Sequence, residues 1–373
     1  MTATIGPAPR FHLVVYSDAT GLGGAEVNLS RVLAALPATV HVTLMGVDED
    51  VVDWLAGHRR TADRLVLPAV VDRSDVRGLA RHRAMFVRLR PDVLQFNLST
   101  ASSCQWALAA ATTIPGLRRV VVENSPMAVW SSTSGALKRS TSPRLAAHVA
   151  VGDRTARLIE ESSGLAPGSI TTLYHGVPVV GREPVDRPDG PTVLTVARHD
   201  PVKGLDVLLD AMALVPAPTR LVIVGDGPES DRLHAQRDAL GLGDRVEFRH
   251  LAWDVRVADL MWAFDGMVLP SRLEGFPVTI VEAMLAGLPV VATDVGSVRE
   301  AVVPGDTGWI VPPEDPESLA AALGELVGDL PAAAAMGARA RVLAEERFTI
   351  EATVAAYLDL YRRLVPADRA TLL

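Results

Sequence analysis

The sequence predicts an α/β protein built from two Rossmann-like, doubly wound domains, and three observations carry that prediction. Short β-branched runs alternate with helical patterns through the first half, the same rhythm restarts after residue 191, and a segment without apolar periodicity lies between. That segment, 181–191, has three prolines and two glycines in eleven residues, the composition of a linker. The expected division is 1–180, an N-terminal domain; 181–191, the linker; 192–348, a C-terminal domain; and 349–373, a closing helical segment. With 373 residues, 49% of them hydrophobic, there is apolar surface for two cores.

In the first half, apolar stretches near 11–16, 40–46, 65–71, 92–96, 119–122, 147–151 and 170–174 read as strands, with helical segments at 24–36, 76–90 and 101–112. After the linker, strands are expected at 192–197, 220–224, 245–248, 266–269, 289–292 and 309–311, and helices near 204–214, 229–240, 254–263, 278–287 and 316–328. Two more helical patterns, 331–346 and 349–364, close the chain; the last either caps the second domain or crosses back to the first. Two such domains leave a cleft between the carboxyl ends of their sheets, so function is sought at strand-to-helix turns.

Composition narrows the function. A formal charge of −8, from 44 acidic against 36 basic residues, gives no broad cationic field for a phosphate backbone, so no nucleic-acid partner is expected. The single cysteine, Cys104, offers neither an internal disulfide nor a zinc spacing and suits a reducing compartment. The first apolar stretch is too short for a signal-peptide core, and no apolar run approaches the ~20 residues of a membrane span, so a cytoplasmic location is expected. Lysine occurs only at Lys138 and Lys203, arginine supplying the other 34 cations. A lysine against that background calls for a reason.

Four strand ends carry chemistry. After the first strand, Gly21, Gly23 and Gly24 lead into a helix, where glycine lets backbone N–H groups approach a phosphate and the helix end favours an anion. A dinucleotide fingerprint would need a third glycine where Glu26 stands, although Asp48 at the end of the second strand could hold a ribose. Arg198 and Lys203 straddle the turn that opens the second domain and could converge on one anion, the first by a fork and the second as a point charge. Gly225 marks another strand-end turn beside them.

The densest signal lies at 267–301, where Glu274 and Gly275 occupy a loop, Pro277 suits a first helical turn, and Glu282 falls about 7 Å further along the helix at ~1.5 Å per residue. The N–H groups of Gly275, Phe276 and Val278 then offer a seat for a phosphate or sugar hydroxyl. The bland alternative is that Glu274 caps the helix and Glu282 lies on a solvated face.

Together these residues resemble the retaining GT-B glycosyltransferases of the large bacterial family that uses nucleotide-diphosphate sugars, the group that includes phosphatidylinositol mannosyltransferases and is related to glycogen synthases. The resemblance rests on the E-x7-E spacing of Glu274 and Glu282 with the Arg198/Lys203 pair, supported by Gly23, Gly24 and Glu26. It implies two Rossmann-like domains facing across a cleft, the first on the acceptor side and the second binding the nucleotide-sugar donor. By the same likeness Arg198 and Lys203 bind the donor diphosphate, Glu282 holds the ribose, and Glu274 lies by the donor sugar. Gly24 would approach the diphosphate from the first domain, and the last helix would return there.

Departure of a diphosphate leaves negative charge that preorganised cations stabilise selectively in the transition state, so neither a metal nor a further cofactor is expected. Asp48, Glu49 and Asp50 do spell a metal-binding pattern, but read better as an acidic loop. Many relatives have a histidine where Asn97 stands; asparagine, like Asn124 nearby, can position a sugar hydroxyl but cannot act as a base.

The expected activity is therefore transfer of a hexose-type sugar from a UDP- or GDP-sugar to a hydroxyl acceptor with retention. The alternatives are a catalytically silent nucleotide-sugar binder and a nucleotide-sugar epimerase of the same architecture. Base contacts are expected around 250–253. The arginine-rich segment 76–90 reads as a solvated helix, with peripheral docking on anionic lipid as the sharper alternative.

Overall fold

The computed structural model describes residues 10–128, 130–179, 181, 189–250 and 257–373, so most of the expected linker and residues 251–253 lie outside the described residues. The chain divides into two compact units, one formed by 1–175 with 350–373 and the other by 176–349.

The first unit holds a parallel sheet of β1 (Phe11–Ser17), β2 (Val40–Gly46), β3 (Asp63–Val66), β4 (Val93–Leu98), β5 (Arg119–Glu123), β6 (Ala147–Ala150) and β7 (Thr171–Thr172), in spatial order β3-β2-β1-β4-β5-β6-β7. Its crossover helices are α1 (Gly24–Ala35), α2 (Glu49–His58), α3 (Val76–Leu89), α4 (Gln105–Thr112), α5 (Ser132–Thr141) and α6 (Asp153–Ser163). The β-branched runs of β1, β4 and β5 are buried along almost their whole length, as expected of strands covered on both faces. Edge strand β3 begins and ends earlier than 65–71, because its side chains are mostly exposed and leave no apolar pattern to read. Asp48, Glu49 and Asp50 do not form a loop: Asp48 caps α2, its Oδ1 accepting the Val51 N–H at 3.1 Å, and the other two occupy the first turn. On α3, His82 and Phe86 are buried while Arg77, Arg81 and Arg88 are exposed.

The second unit is a parallel sheet of β8 (Thr192–Val196), β9 (Arg220–Val224), β10 (Val246–Arg249), β11 (Gly266–Leu269), β12 (Val290–Thr293) and β13 (Gly308–Val311), ordered β10-β9-β8-β11-β12-β13. Around it lie α7 (Leu205–Leu214), α8 (Ser230–Ala239), α9 (Val257–Met261), α10 (Val278–Leu285), α11 (Val298–Ala301), α12 (Pro316–Gly328) and α13 (Leu330–Arg347). Both sheets reverse their strand order between the first and fourth strands, β1/β4 and β8/β11, the topology of a doubly wound fold. No single helix among the described residues is long and apolar enough to cross a membrane.

After α13 the chain forms α14 (Ile350–Leu364), which belongs to the first unit. Its Ile350, Val354, Tyr357, Leu358 and Tyr361 join the core that includes Leu29, Leu33 and Val93. Tyr361 also donates its hydroxyl to Gln95 Oε1 at 2.5 Å, both groups being buried. Tyr361→Phe is expected to cost the first unit about 1–3 kcal/mol, because it takes from a buried amide oxygen its phenolic donor. Urea unfolding followed by a probe in that unit checks it; an unchanged midpoint would show that Gln95 finds another partner.

Candidate functional site

In the second unit β8 lies beside β11 where the strand order reverses, so the loops leaving their carboxyl ends are neighbours. The β8 loop enters a single 3-10 turn, Pro201–Lys203, capped by Asp200, whose Oδ1 accepts the Val202 N–H at 3.0 Å. Gly204 follows at φ +62°, and a Cβ there would stand 2.1 Å from the Pro270 carbonyl oxygen. Glycine thus lets the turn press against the end of β11. Lys203 Nζ consequently reaches Glu274 Oε1 at 2.8 Å, and the Ser271 hydroxyl donates to the same oxygen at 2.7 Å.

Arg272 ties these loops together. Its guanidinium grips both oxygens of Asp206 at 2.8 and 3.0 Å and also pairs with Glu314, while its backbone N–H donates to the Val202 carbonyl at 2.8 Å. Burial pushes the Asp206 carboxyl up, but the Arg272 hydrogen bonds and charge bring it net below the usual carboxylate range. This clamp holds the Lys203 turn and the Glu274 loop as one rigid piece.

Arg198 is exposed at the carboxyl end of β8 and is ion-paired with Asp200. Arg198 and Lys203 thus stand on one loop, each paired with a carboxylate of its own, Asp200 and Glu274. Gly225 brings the end of β9 against this loop, a Cβ there falling 2.1 Å from the Ala197 carbonyl oxygen.

Pro277 stands at the N-cap of α10, just before its first turn, and no side chain caps the helix. Glu274 is thus not a cap. Gly275 and Phe276 are buried, the Phe276 ring lying 5.1 Å from that of Phe348, and Val278 opens the helix half-buried. Glu282, its fifth residue, is 7% exposed, so the solvated-face alternative fails as well.

In the first unit Gly23 and Gly24 are exposed at the start of α1. The Gly23 N–H is already taken by Glu26 Oε2 at 3.1 Å. Burial pushes the Glu26 carboxyl up, against the pull of nearby backbone N–H groups. A phosphate at Gly23 would therefore compete with the chain's own carboxylate.

Asn97, buried in β4, and Asn124, just beyond β5, are joined: Asn124 Nδ2 donates to Asn97 Oδ1 at 3.2 Å and to the Leu98 carbonyl at 3.0 Å. That orientation turns Asn124 Oδ1 toward His175, whose Nε2 lies 2.7 Å away and must carry the proton. Burial, with a smaller push from Arg31, lowers the His175 pKa to about 4, so the ring is neutral near pH 7. Sequence reasoning missed His175, a histidine in no recognisable pattern.

Because His175 in the folded chain protonates near pH 4 instead of 6.5, the unfolded chain gains a proton first, and stability is lost as pH falls from about 6.5 to 4. His175→Gln should flatten that part of the stability profile. Urea midpoints at pH 7.5, 5.5 and 4.5 measure it; parallel curves for the two proteins would refute the buried neutral ring.

The other lysine also has its reason. Lys138 is 1% exposed and paired with Glu123, donating as well to the Ala101 carbonyl at 3.1 Å, while His148 Nε2 lies 2.7 Å from the same Glu123 oxygen. The rarity of lysine was the available signal. Cys104 is buried against Asp18, its Sγ 3.2 Å from Oδ1, and burial raises its thiol pKa well above the ordinary value. Among the described residues no group of three or more His, Cys, Asp or Glu side chains is placed to hold a metal ion.

Residues 182–343 match the family model described as "Glycosyl transferases group 1". The chain is 34% identical over 244 residues to D-inositol 3-phosphate glycosyltransferase 2 of Catenulispora acidiphila, covering 60% of this chain and 57% of that protein. It is 34% identical over 232 residues to an exopolysaccharide phosphotransferase of Streptomyces coelicolor, covering 60% of this chain and 24% of that one. The chain thus spans little more than half, or less, of the curated relatives it matches.

Among solved structures it resembles Anabaena HepE in complex with UDP, at TM-score 0.79 and 22% identity over 94% of this chain and 98% of that one. A sucrose-phosphate synthase from Thermosynechococcus elongatus gives TM-score 0.80 and 23% identity over 95% and 99%. The chain has the GT-B fold, and its residues 182–343 carry the sequence pattern of the group 1 glycosyl transferases.

Proposed function

We propose that the protein is a retaining glycosyltransferase that moves a hexose-type sugar from a UDP- or GDP-sugar to a hydroxyl acceptor without a metal ion. The observation that carries this reading is the meeting of Lys203 and Glu274 at the β8/β11 switch point, with Arg198 on the same loop and Glu282 buried on the helix that follows. The UDP bound by HepE and the D-inositol 3-phosphate glycosyltransferase resemblance support it.

In this reading Arg198 and Lys203 stabilise the departing diphosphate, the charge that grows most in the transition state. Glu282 holds the ribose, and Glu274 lies by the donor sugar. The backbone of Gly225, Gly275, Phe276 and Val278 supports the donor, with Pro277 setting the entry to α10. Asn97 and Asn124 are the acceptor-side candidates, and Asn124 must give up its contact with Asn97 or with His175 to hold a hydroxyl. Neither can act as a base, so the acceptor proton passes to the departing phosphate oxygen on the same face of the sugar, a route that retains configuration.

The test incubates the chain with UDP- and GDP-sugars and an acceptor panel that includes inositol 3-phosphate. Nucleoside diphosphate release, an α-linked product, and full activity in EDTA are expected. Donor binding without turnover indicates a silent binder, a changed donor sugar with no acceptor indicates an epimerase, and either outcome overturns the proposal.

A further inference from the structure

We propose that Asp200 sets the affinity of the second unit for the nucleoside diphosphate, competing with it for Arg198 and speeding its release after transfer. The inference rests on the assignment of Arg198 and Lys203 to a diphosphate.

The geometry distinguishes a fixed anion from a movable cation. Asp200 Oδ1 accepts the Val202 N–H at 3.0 Å, and the Asp200 carbonyl accepts the Lys203 N–H at 2.9 Å, so its backbone and one carboxylate oxygen belong to the turn itself. The other oxygen takes the Arg198 guanidinium. The Asp200 side chain is 18% exposed and that of Arg198 70%. Arg198 can swing from this carboxylate to a phosphate, whereas Asp200 cannot follow without unmaking the turn.

The two cations at this loop are matched by two carboxylates, Asp200 and Glu274, so the site offers a diphosphate no net positive charge. An anion held here feels Asp200 at close range as a fixed repulsion. That repulsion grows with the charge on the ligand. While the sugar is attached, the second phosphate is bonded to the sugar and to the first phosphate and carries one charge; once the sugar has left, it is a terminal phosphate whose further ionisation, near pH 6 as for other terminal phosphates, adds roughly one more. Asp200 therefore weakens the product more than the donor.

One substitution separates the roles of this side chain. Asp200→Asn keeps an oxygen for the Val202 N–H and removes the charge, because asparagine caps such turns as well as aspartate does. Asp200→Ala removes both.

Calorimetry on the full chain with UDP, GDP and their sugar conjugates, at low and high NaCl, tests the idea, with thermal melting as the control for folding. Asp200→Asn should bind the nucleoside diphosphate about three- to tenfold tighter, gain less for the nucleotide sugar, and lose much of its advantage at high salt. Asp200→Ala should gain less than Asp200→Asn, having lost the cap, and in an Arg198→Ala background Asp200→Asn should keep only the salt-sensitive part of its gain, the part that comes from freeing Arg198 being gone. Wild type that binds a nucleoside diphosphate no more weakly than Asp200→Asn overturns the inference and leaves the proposed function standing. Failure of wild type to bind either nucleotide overturns both.

Discussion

Lys203→Ala should slow sugar transfer about a hundredfold or more, the usual consequence of losing one preorganised contact to a developing anion, roughly 3 kcal/mol of transition-state stabilisation. The fold should survive, because the side chain is partly exposed and the turn that carries it is held by the Asp200 cap and the Arg272 clamp, not by Nζ. The loss should fall mainly on kcat if the ammonium acts on the leaving group, since binding that is equal in ground and transition states would change KM alone. Lys203→Arg should recover only part of the rate: a planar fork does not replace a compact charge placed 2.8 Å from Glu274 Oε1. Single-turnover rates with saturating donor, beside a thermal melt, make the measurement. Near-normal turnover in a folded Lys203→Ala protein would remove Lys203 from the mechanism.

Gly296→Ala should be damaging in a different way. Gly296 has φ +48°, and a Cβ added there would fall 1.9 Å from the Glu274 carbonyl oxygen and 3.0 Å from that of Gly275. No side-chain rotation relieves a clash with backbone. The left-handed conformation adds its own penalty for any residue with a Cβ, so a loss of roughly 3 kcal/mol or more in the second unit is expected. The loop can yield only by moving Glu274, which would open the Lys203 contact. Activity per folded molecule should therefore drop at least tenfold, read from turnover normalised to the folded fraction. A stable, fully active Gly296→Ala would mean that the Glu274 loop does not need its present seat beside the β12–α11 turn.

Much of the fold was legible because parallel strands covered on both faces must be apolar throughout. β2, β9, β11 and α12 match the expected 40–46, 220–224, 266–269 and 316–328, and each has clear punctuation at its ends. β3 and β7 were misjudged in extent, one mostly exposed at the sheet edge and the other two residues long. Helices α2, α5 and α6 are not among the expected segments: α2 does carry a legible apolar face of Val51, Val52, Leu55 and Ala56 behind the Asp48 cap, whereas the buried positions of α5 and α6 are mostly small or polar and leave little pattern to read.

For the site, the residue types and their positions after strand ends were readable from local chemistry. Their partners were not. Lys203 and Glu274 are 71 positions apart, Arg272 and Asp206 66, and His175 and Asn124 51.

What the sequence determined by itself was the two-fold α/β rhythm and the placing of glycines, cations and carboxylates at the carboxyl ends of strands, since both follow from local periodicity and turn chemistry. Tertiary structure decided which strand ends are neighbours, that each cation faces a carboxylate, and that α14 completes the first core. These depend on the order in which parallel strands pair, and that order is set by long-range burial no local pattern encodes.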